Sequence, residues 1–533
     1  MRKLICYILI LSNLLFNGCV EKSVQGTKSE GTRNYVVYNI GKSPEDLIML
    51  NNHDFRQQDL LINLFEGLVT SDEKGKIKPA IAESWSLNKD ETCYTFKIRK
   101  TATWNNGEDI TAEDFVTFFS QVLNKDRDNV YAKQLYCIFG AEDYKKGKGD
   151  FSNVAVRALD EKTLEIRLNY PCNYFLNILA EPIYSLRKIN EDLVSWKKNY
   201  KNILYSGCYK IDNILDNGDA RLKKNEEYWN NSSVKSEDIM VTFIDSSEAS
   251  LAAFESSKID IFTNPPISEL SNLSASGKIS KIPFYGIGTL VFNLRKEGVI
   301  QDSNLRKSIS AAVSRKEISK EALNDTVKPA TAYIPPNVSD GMNGQYLNKE
   351  IFTVEPEKAK ALDLISKSKY ENNKEELKLI YLDSVENKKI CDTIAKQLRE
   401  NLKLKVQCKG YSLEEFSQVI RENDYDIAKV NYESSYDYPP SFLERYTSES
   451  EMNLFGYKNA EFDTRVERAK REKDMVKKVQ DLREAENILM DDMPIVPLYF
   501  TNSVICKKNN IDGIYTNKRG NIKLDKVYIK VEA

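Results

Sequence analysis

The sequence predicts an α/β protein, because period-2 and period-3.6 stretches alternate along it. Three observations carry that reading. Asn34 to Ile40 (NYVVYNI) and Tyr94 to Ile98 (YTFKI) have strand character, the latter alternating cleanly. Phe115, Phe118, Phe119 and Val122 recur at helical spacing. Val479, Leu482, Ala485 and Leu489 form a second stripe, stopped by Pro494 before the apolar extended run Ile495 to Phe500 (IVPLYF). At about 150 residues per domain, the 533 residues suggest roughly three to four domain-sized units.

The first element is a targeting segment rather than part of the fold. Arg2 and Lys3 precede the stretch Leu4 to Phe16, broken by Ser12 and Asn13, and then come Asn17, Gly18 and Cys19. The apolar core is shorter than the ~20 residues a spanning helix needs. It resembles a bacterial lipoprotein signal, covering 1–18, in which Cys19 receives lipid; an ordinary secretory peptide is the alternative. Residues 19–34 are polar and without periodicity, as a flexible tether is.

Later elements follow in order. Thr111 to Asp114 reads as a capping box that starts the aromatic-faced helix, with Asp in place of the usual Glu. Ser303 to Lys320 reads as a helix with Leu305, Ile309, Ala312 and Val313 on one face. Gly286 and Gly288 suit either a chain crossing or a loop between strands. No internal repeat appears.

Composition narrows the function. Hydrophobic residues are 41%, charged residues 29% and mean hydropathy is −0.50, the profile of a water-soluble globular chain. Lys+Arg 77 against Asp+Glu 79 leaves a net charge of −2, without the basic excess that a nucleic-acid partner requires. A single histidine, His53, removes two-His metal sites and leaves one base for Ser-His or Cys-His catalysis. There is no GxSxG, HExxH, GxxxxGK[ST] or GxGxxG, so no catalytic residue, cofactor or metal is assigned. Seven cysteines beyond Cys19 are scattered without CxxC and read as small buried apolar residues.

The order of segments resembles the family 5 extracellular solute-binding proteins, the oligopeptide- and dipeptide-binding components of ABC importers. Leu64 to Val69 (LFEGLV), Pro79 to Trp85 (PAIAESW), Trp104 to Gly107, Thr111 to Phe115 (TAEDF) and Ser206 to Lys210 (SGCYK, with Cys208 replacing proline) carry it in the amino-terminal half. Asn225 to Trp229 (NEEYW), Phe254 to Asp260 (FESSKID), Pro439 to Leu443 (PPSFL) and Ala485 to Tyr499 continue it.

This resemblance implies a two-lobe periplasmic-binding-protein clamshell with an additional subdomain in lobe one. Lobe one takes 35–287 plus 503–533, with the subdomain near 66–190, and lobe two takes 288–502. The lobes cross near Tyr285 to Thr289 and Thr501 to Ser503. It further implies a non-enzymatic, monomeric, lipid-anchored receptor on the extracellular face of the cytoplasmic membrane, periplasmic if the host has two membranes. Such a receptor captures a short peptide as an added strand and delivers it to an ABC permease. Ligand-binding positions follow as His53, Phe55, Arg56, Tyr131, Lys429, Tyr432, Glu433, Ser435 and Asp437. Oligopeptide binders read W-x-x-D where this chain has Tyr432 and Ser435, so the aspartate for a ligand amine is absent. Either Asp437, two residues on and facing the same side of an extended segment, takes its role, or the ligand lacks a free amine, or the anchor is elsewhere. A signalling-peptide receptor, a binder of a nickel complex, haem or sugar, and a secreted hydrolase are the alternatives.

Overall fold

The computed structural model describes residues 33–51, 54–342, 344–370, 375–434, 437–517 and 519–530. The segment expected to serve targeting, Cys19, nearly all of the expected tether, His53 and Ser435 lie outside them. Residues from Tyr35 onward form one unit.

An eleven-stranded mixed sheet organises it. Its spine is two long antiparallel strands, Ile279–Phe292 and Ile495–Lys507, which pair from Ile279 with Cys506 through to Val291 with Ile495. On one half of the spine, strands Leu377–Leu382, Val406–Tyr411 and Ile427–Glu433 run parallel to one another. The last of these pairs antiparallel with the spine, Ile427 opposite Phe292 and Glu433 opposite Gly286. On the other half, Val36–Asn39, Asp238–Thr242 and Ile261–Thr263 are parallel. Ile261–Thr263 joins the spine opposite Lys507 to Ile505, and the hairpin Tyr209–Ile214 and Ala220–Lys224 closes that edge.

Parallel neighbours need helical crossovers, and the sequence supplies them. Ser384 caps helix Val385–Leu402 by accepting from Asn387 N at 3.0 Å, and Lys403 ends it in a left-handed conformation. The buried stripe Ile390, Ile394, Leu398 and Leu402 holds that helix against the sheet. Ser412 and Glu415 form a reciprocal capping box on helix Leu413–Glu422.

The halves point toward one place. Glu433 ends its strand opposite Gly286, and Thr263 ends its strand opposite Ile505, so carboxyl ends converge on the middle of the spine from both sides. Ligands of open α/β sheets bind in crevices outside such strand ends.

A separate four-stranded antiparallel sheet comprises Ala82–Leu87, Cys93–Ile98, Thr163–Arg167 and Val156–Asp160 in that spatial order. Helix Ala112–Val122 covers it with Phe115, Phe118, Phe119 and Val122 buried, and Thr111 and Asp114 form the expected capping box.

Three expectations change. The helix from Ser303 ends at Ala312 rather than Lys320, because Val313 is extended and Ser314 starts a new turn by accepting from Glu317 N at 3.1 Å. The Ser314 N–H is also taken by Gln397 Oε1, a tertiary bond that overrides the helical pattern. The final strand runs past Phe500 to Lys507. Gly286 and Gly288 lie within a continuous strand, beside register shifts between Pro283 and Ile287 and between Gly288 and Thr289. Neither has positive φ. Their role is spatial: a Cβ on Gly288 meets Tyr499 Cε2 and Cε1 at 2.6 and 2.7 Å, and one on Gly286 collides with Thr501 Oγ1.

Candidate ligand site at the strand ends

On the amino-terminal side of the crevice, Phe55 and Arg56 lead into helix Gln58–Leu64. Arg56 Nη1 donates to Asp59 Oδ2 at 3.1 Å and Nη2 to the Gly520 carbonyl at 2.5 Å. Asp59 is fully buried and also accepts from Tyr38 Oη, Asn521 Nδ2 and Ile522 N, which fixes the arginine. The Arg56 guanidinium lies 4.2 Å from the Phe55 ring centre, and Phe284 meets that ring edge-on at 4.8 Å. Tyr131 accepts from Gln58 Nε2 at 2.8 Å, and Gln58 Oε1 accepts from Arg519 Nη1 at 3.1 Å.

Arg519 Nη1 also pairs with Glu181 Oε2 at 2.6 Å, both side chains being buried. Burial pushes the Glu181 carboxyl up to about 7, the arginine offsetting only part of that desolvation. A cavity of about 20 Å³ adjoins the pair, lined by Glu181, Arg519, Asn177, Tyr285, Asp437 and Asn517 among others. That volume holds about one water or one ammonium group.

The opposite wall is strand Ile427–Glu433. Lys429, Asn431 and Glu433 alternate onto one face. Lys429 is 3% exposed, and its Nζ donates to Asn387 Oδ1 at 2.7 Å and Asn431 Oδ1 at 3.0 Å, the latter oxygen also accepting from Tyr499 Oη. Burial lowers this ammonium to about 8. Glu433 keeps contact with solvent. Desolvation raises its carboxyl, while Arg519 and Arg56, across the crevice, hold it down in part. Tyr432 turns the other way: its hydroxyl donates to the Ser441 carbonyl and its ring packs edge-on against Phe442 and under Arg445 at 3.8 Å.

Of the expected ligand positions, Phe55, Arg56, Tyr131, Glu433 and Asp437 gather around Arg519. Lys429 stands further along the strand beside helix Val385–Leu402, and Tyr432 serves packing with its side chain. Asp437 lies beyond the strand, which ends at Glu433. It lies in a bend before helix Pro440–Leu443, and its Oδ1 accepts from Ser339 N at 2.7 Å. Sequence reasoning missed Arg519 and Glu181, each an isolated residue in a segment without a motif, and named Tyr285 only as the start of a crossing between lobes.

One backbone feature matters most. Strand Leu377–Leu382 covers the outer edge of Ile427–Glu433 only as far as Lys429, so Val430 to Glu433 has no strand neighbour on that edge among the described residues. Unpaired main chain at the mouth of a crevice is a template for an extended ligand.

Comparison with known proteins gives the family. The model of the bacterial extracellular solute-binding proteins, family 5 Middle, matches residues 76–453. The dipeptide-binding protein DppE of Bacillus subtilis is 29% identical over 472 residues, 87% of this chain and 86% of that protein. The oligopeptide-binding protein OppA of Bacillus subtilis is 26% identical over 99% of this chain and 98% of its own length. Among solved structures, a periplasmic oligopeptide-binding protein of Borrelia burgdorferi superposes with a TM-score of 0.79 at 26% identity, covering 93% of this chain and all of that one. With a family match across most of the chain, a two-lobe α/β fold and a crevice at converging strand ends, this chain belongs to the bacterial extracellular solute-binding proteins of family 5.

Proposed function

We propose that this chain is the substrate-binding component of an ABC importer, taking short peptides into the crevice and delivering them to the permease. The open edge at Val430 to Glu433 carries the reading, because a binder of varied peptides must hold their common main chain, and strand addition does so. The relatives named for dipeptides and oligopeptides support it. The lobes divide at 35–287 plus 503–533 and 288–502, with a subdomain near 66–190. The register shifts beside Gly286 and Gly288 supply the flexing point of the spine.

Within the crevice, Asp437 and Glu181, which line one cavity, hold the ligand's amino group together with Glu433 at the end of the strand, and Lys429 receives negative charge. Phe55, Arg56 and Tyr131 shape the facing wall, with His53 and Ser435 in the adjoining segments. The receptor acts as a single copy and returns its ligand unaltered. Native mass spectrometry of protein purified without denaturation tests this. Masses of co-purifying peptides of a few residues are expected, and a panel of peptides that neither binds nor compacts the protein in small-angle scattering refutes it.

Lipid on Cys19 anchors the chain to the outer face of the cytoplasmic membrane. Two acyl chains make attachment stable, each buried CH₂ contributing about 0.8 kcal/mol. Cys19→Ala releases the protein; wild type found wholly in the medium refutes the anchor.

A further inference from the structure

A second cavity, of about 470 Å³, lies between helix Ala112–Val122 and the segment Leu186 to Asn190, and it shares no lining residue with the small cavity at Glu181 and Arg519. That volume falls in the range of small-molecule sites. On the helix side, Glu113, Thr117 and Gln121 recur four residues apart and so form one row, the first two exposed and Gln121 half-buried. On the other side stand Arg187 and Lys188, and Trp104 and Phe118, both buried, also line the space.

Three of these residues carry a buried polar atom that no hydrogen-bond partner meets: Trp104 Nε1, Gln121 Oε1 and Arg187 Nε. Trp104 and Arg187 are each 1% exposed. The rest of the Arg187 guanidinium is taken up by main chain, Nη1 donating to the Ile183 and Ser185 carbonyls at 3.0 and 2.7 Å and Nη2 to the Ile48 carbonyl at 2.7 Å. All three partners are carbonyls, so among the described residues no carboxylate is in hydrogen-bond contact with this charge, and burial lowers it to about 9. Lys188 Nζ stands 5.2 Å over the Trp104 ring and 3.9 Å from Asp114 Oδ1, adding a second cation to the same wall. Folded proteins rarely leave buried polar groups unmet, and three around one cavity call for a partner from outside.

We propose that this cavity is a second solute site and that it takes a free α-amino acid. The unmet groups are two donors, one of them cationic, and one acceptor. An α-amino acid carries the complement on a single carbon. Its carboxylate accepts from Trp104 Nε1 and Arg187 Nε beside Lys188, and its ammonium donates to Gln121 Oε1 beside Glu113. Phe118, Leu186 and Ile189 line the same space, which favours an apolar side chain such as that of leucine. Nothing in this site depends on what the crevice at Val430 to Glu433 holds.

Calorimetry with free leucine on the mature chain tests the site. Leucine is expected to bind with a dissociation constant of about 1 mM or tighter, and leucinamide and N-acetylleucine, each lacking one of the two charges, about tenfold more weakly. Thr117→Tyr, made at an exposed position so that the fold is kept, fills the cavity and abolishes leucine binding. Gln121→Leu removes the acceptor and weakens leucine about tenfold, while Asp437→Asn in the crevice leaves leucine binding as in wild type. No binding of leucine at about 10 mM, equal affinities for leucine and its two blocked forms, or wild-type affinity in Thr117→Tyr overturns the proposal. Loss of leucine binding in Asp437→Asn does so too, since it places the amino acid in the crevice.

Discussion

Replacing Lys429 by methionine separates the cost of a buried charge from its use. The ammonium sits at 3% exposure, and burial takes it from an ordinary value of 10.5 to about 8. One unit corresponds to about 1.4 kcal/mol, so charged Lys429 lowers stability by roughly 3 kcal/mol relative to a neutral side chain there. Methionine keeps most of the aliphatic volume. Asn387 and Asn431, which lose a donor, are half-buried and exposed, so water reaches their oxygens. Lys429→Met is therefore expected to be more stable than wild type at pH 7, by about 1–3 kcal/mol once imperfect packing is deducted.

The pH dependence has a definite sign. Between about pH 8 and 10.5 the unfolded chain holds the Lys429 proton and the folded one does not. Wild type thus gains stability across that window relative to the variant. The gap in urea midpoints is flat below pH 8 and narrows above it. On the proposed reading binding moves oppositely, because the charge that costs stability is then the one that pairs with a ligand carboxylate. Loss of one partner of such a pair costs about 2–5 kcal/mol, which calorimetry with a free-acid peptide reads as at least a thirtyfold weakening. A variant less stable than wild type at pH 7, a gap that ignores pH, or unchanged affinity refutes the reasoning.

Other substitutions probe the remaining parts. Asp437→Asn weakens a free-amine peptide at least tenfold, about 1.4 kcal/mol, and N-acetylation of the peptide does the same to wild type. Equal affinities in all four combinations mean that Asp437 anchors nothing. Gly288→Ala forces the Tyr499 ring aside and costs about 1–3 kcal/mol in urea unfolding; a neutral result means the ring has room to move. Glu486 is buried with Oε1 accepting from Ile334 N, and desolvation raises it from 4.5 to about 7. The folded state then holds a proton that the unfolded state lacks, so wild type loses up to roughly 3 kcal/mol as pH rises from 4.5 through 7. Glu486→Gln, which keeps an acceptor for Ile334, removes that slope, and parallel pH profiles of the two proteins contradict it.

Local signals in the sequence found the elements whose ends are set locally. The Thr111 box and the stripe Val479 to Leu489 match the structure because caps and apolar periodicity act within a few residues. The helix from Ser303 was overextended because Gln397, eighty-odd residues away in helix Val385–Leu402, captures the Ser314 N–H. Gly286 and Gly288 were visible as glycines, but their reason is a tyrosine and a threonine on the partner strand. The site was legible in the same uneven way. Segment order marked Phe55, Arg56 and Lys429, whereas Arg519 and Glu181 meet only because the carboxy-terminal tail folds back beside helix Gln58–Leu64. The absent aspartate was legible too, but not the end of the strand at Glu433, short of Asp437.

The charges along the open strand predict a ligand length, on the reading that the ligand is a peptide. Lys429 and Glu433 lie on one strand face four residues apart, roughly 13 Å at about 3.3 Å per residue. The acidic end is reinforced by Asp437 and Glu181, whose cavity accommodates one ammonium group. The basic end has a single ammonium held between Asn387 and Asn431. An extended peptide places its amino and carboxyl groups the same distance apart at about four residues, since each adds 3.3–3.6 Å. A dipeptide reaches one end and leaves the other charge buried without its partner, whereas a longer peptide must carry its carboxylate past Lys429. Calorimetry on a length series of one repeated residue is therefore expected to show affinity peaking near the tetrapeptide, and amidation of the carboxyl to cost most at that length. Affinity indifferent to length, or an amidation penalty that is the same throughout the series, removes Lys429 and the acidic cluster as the two ends of the site.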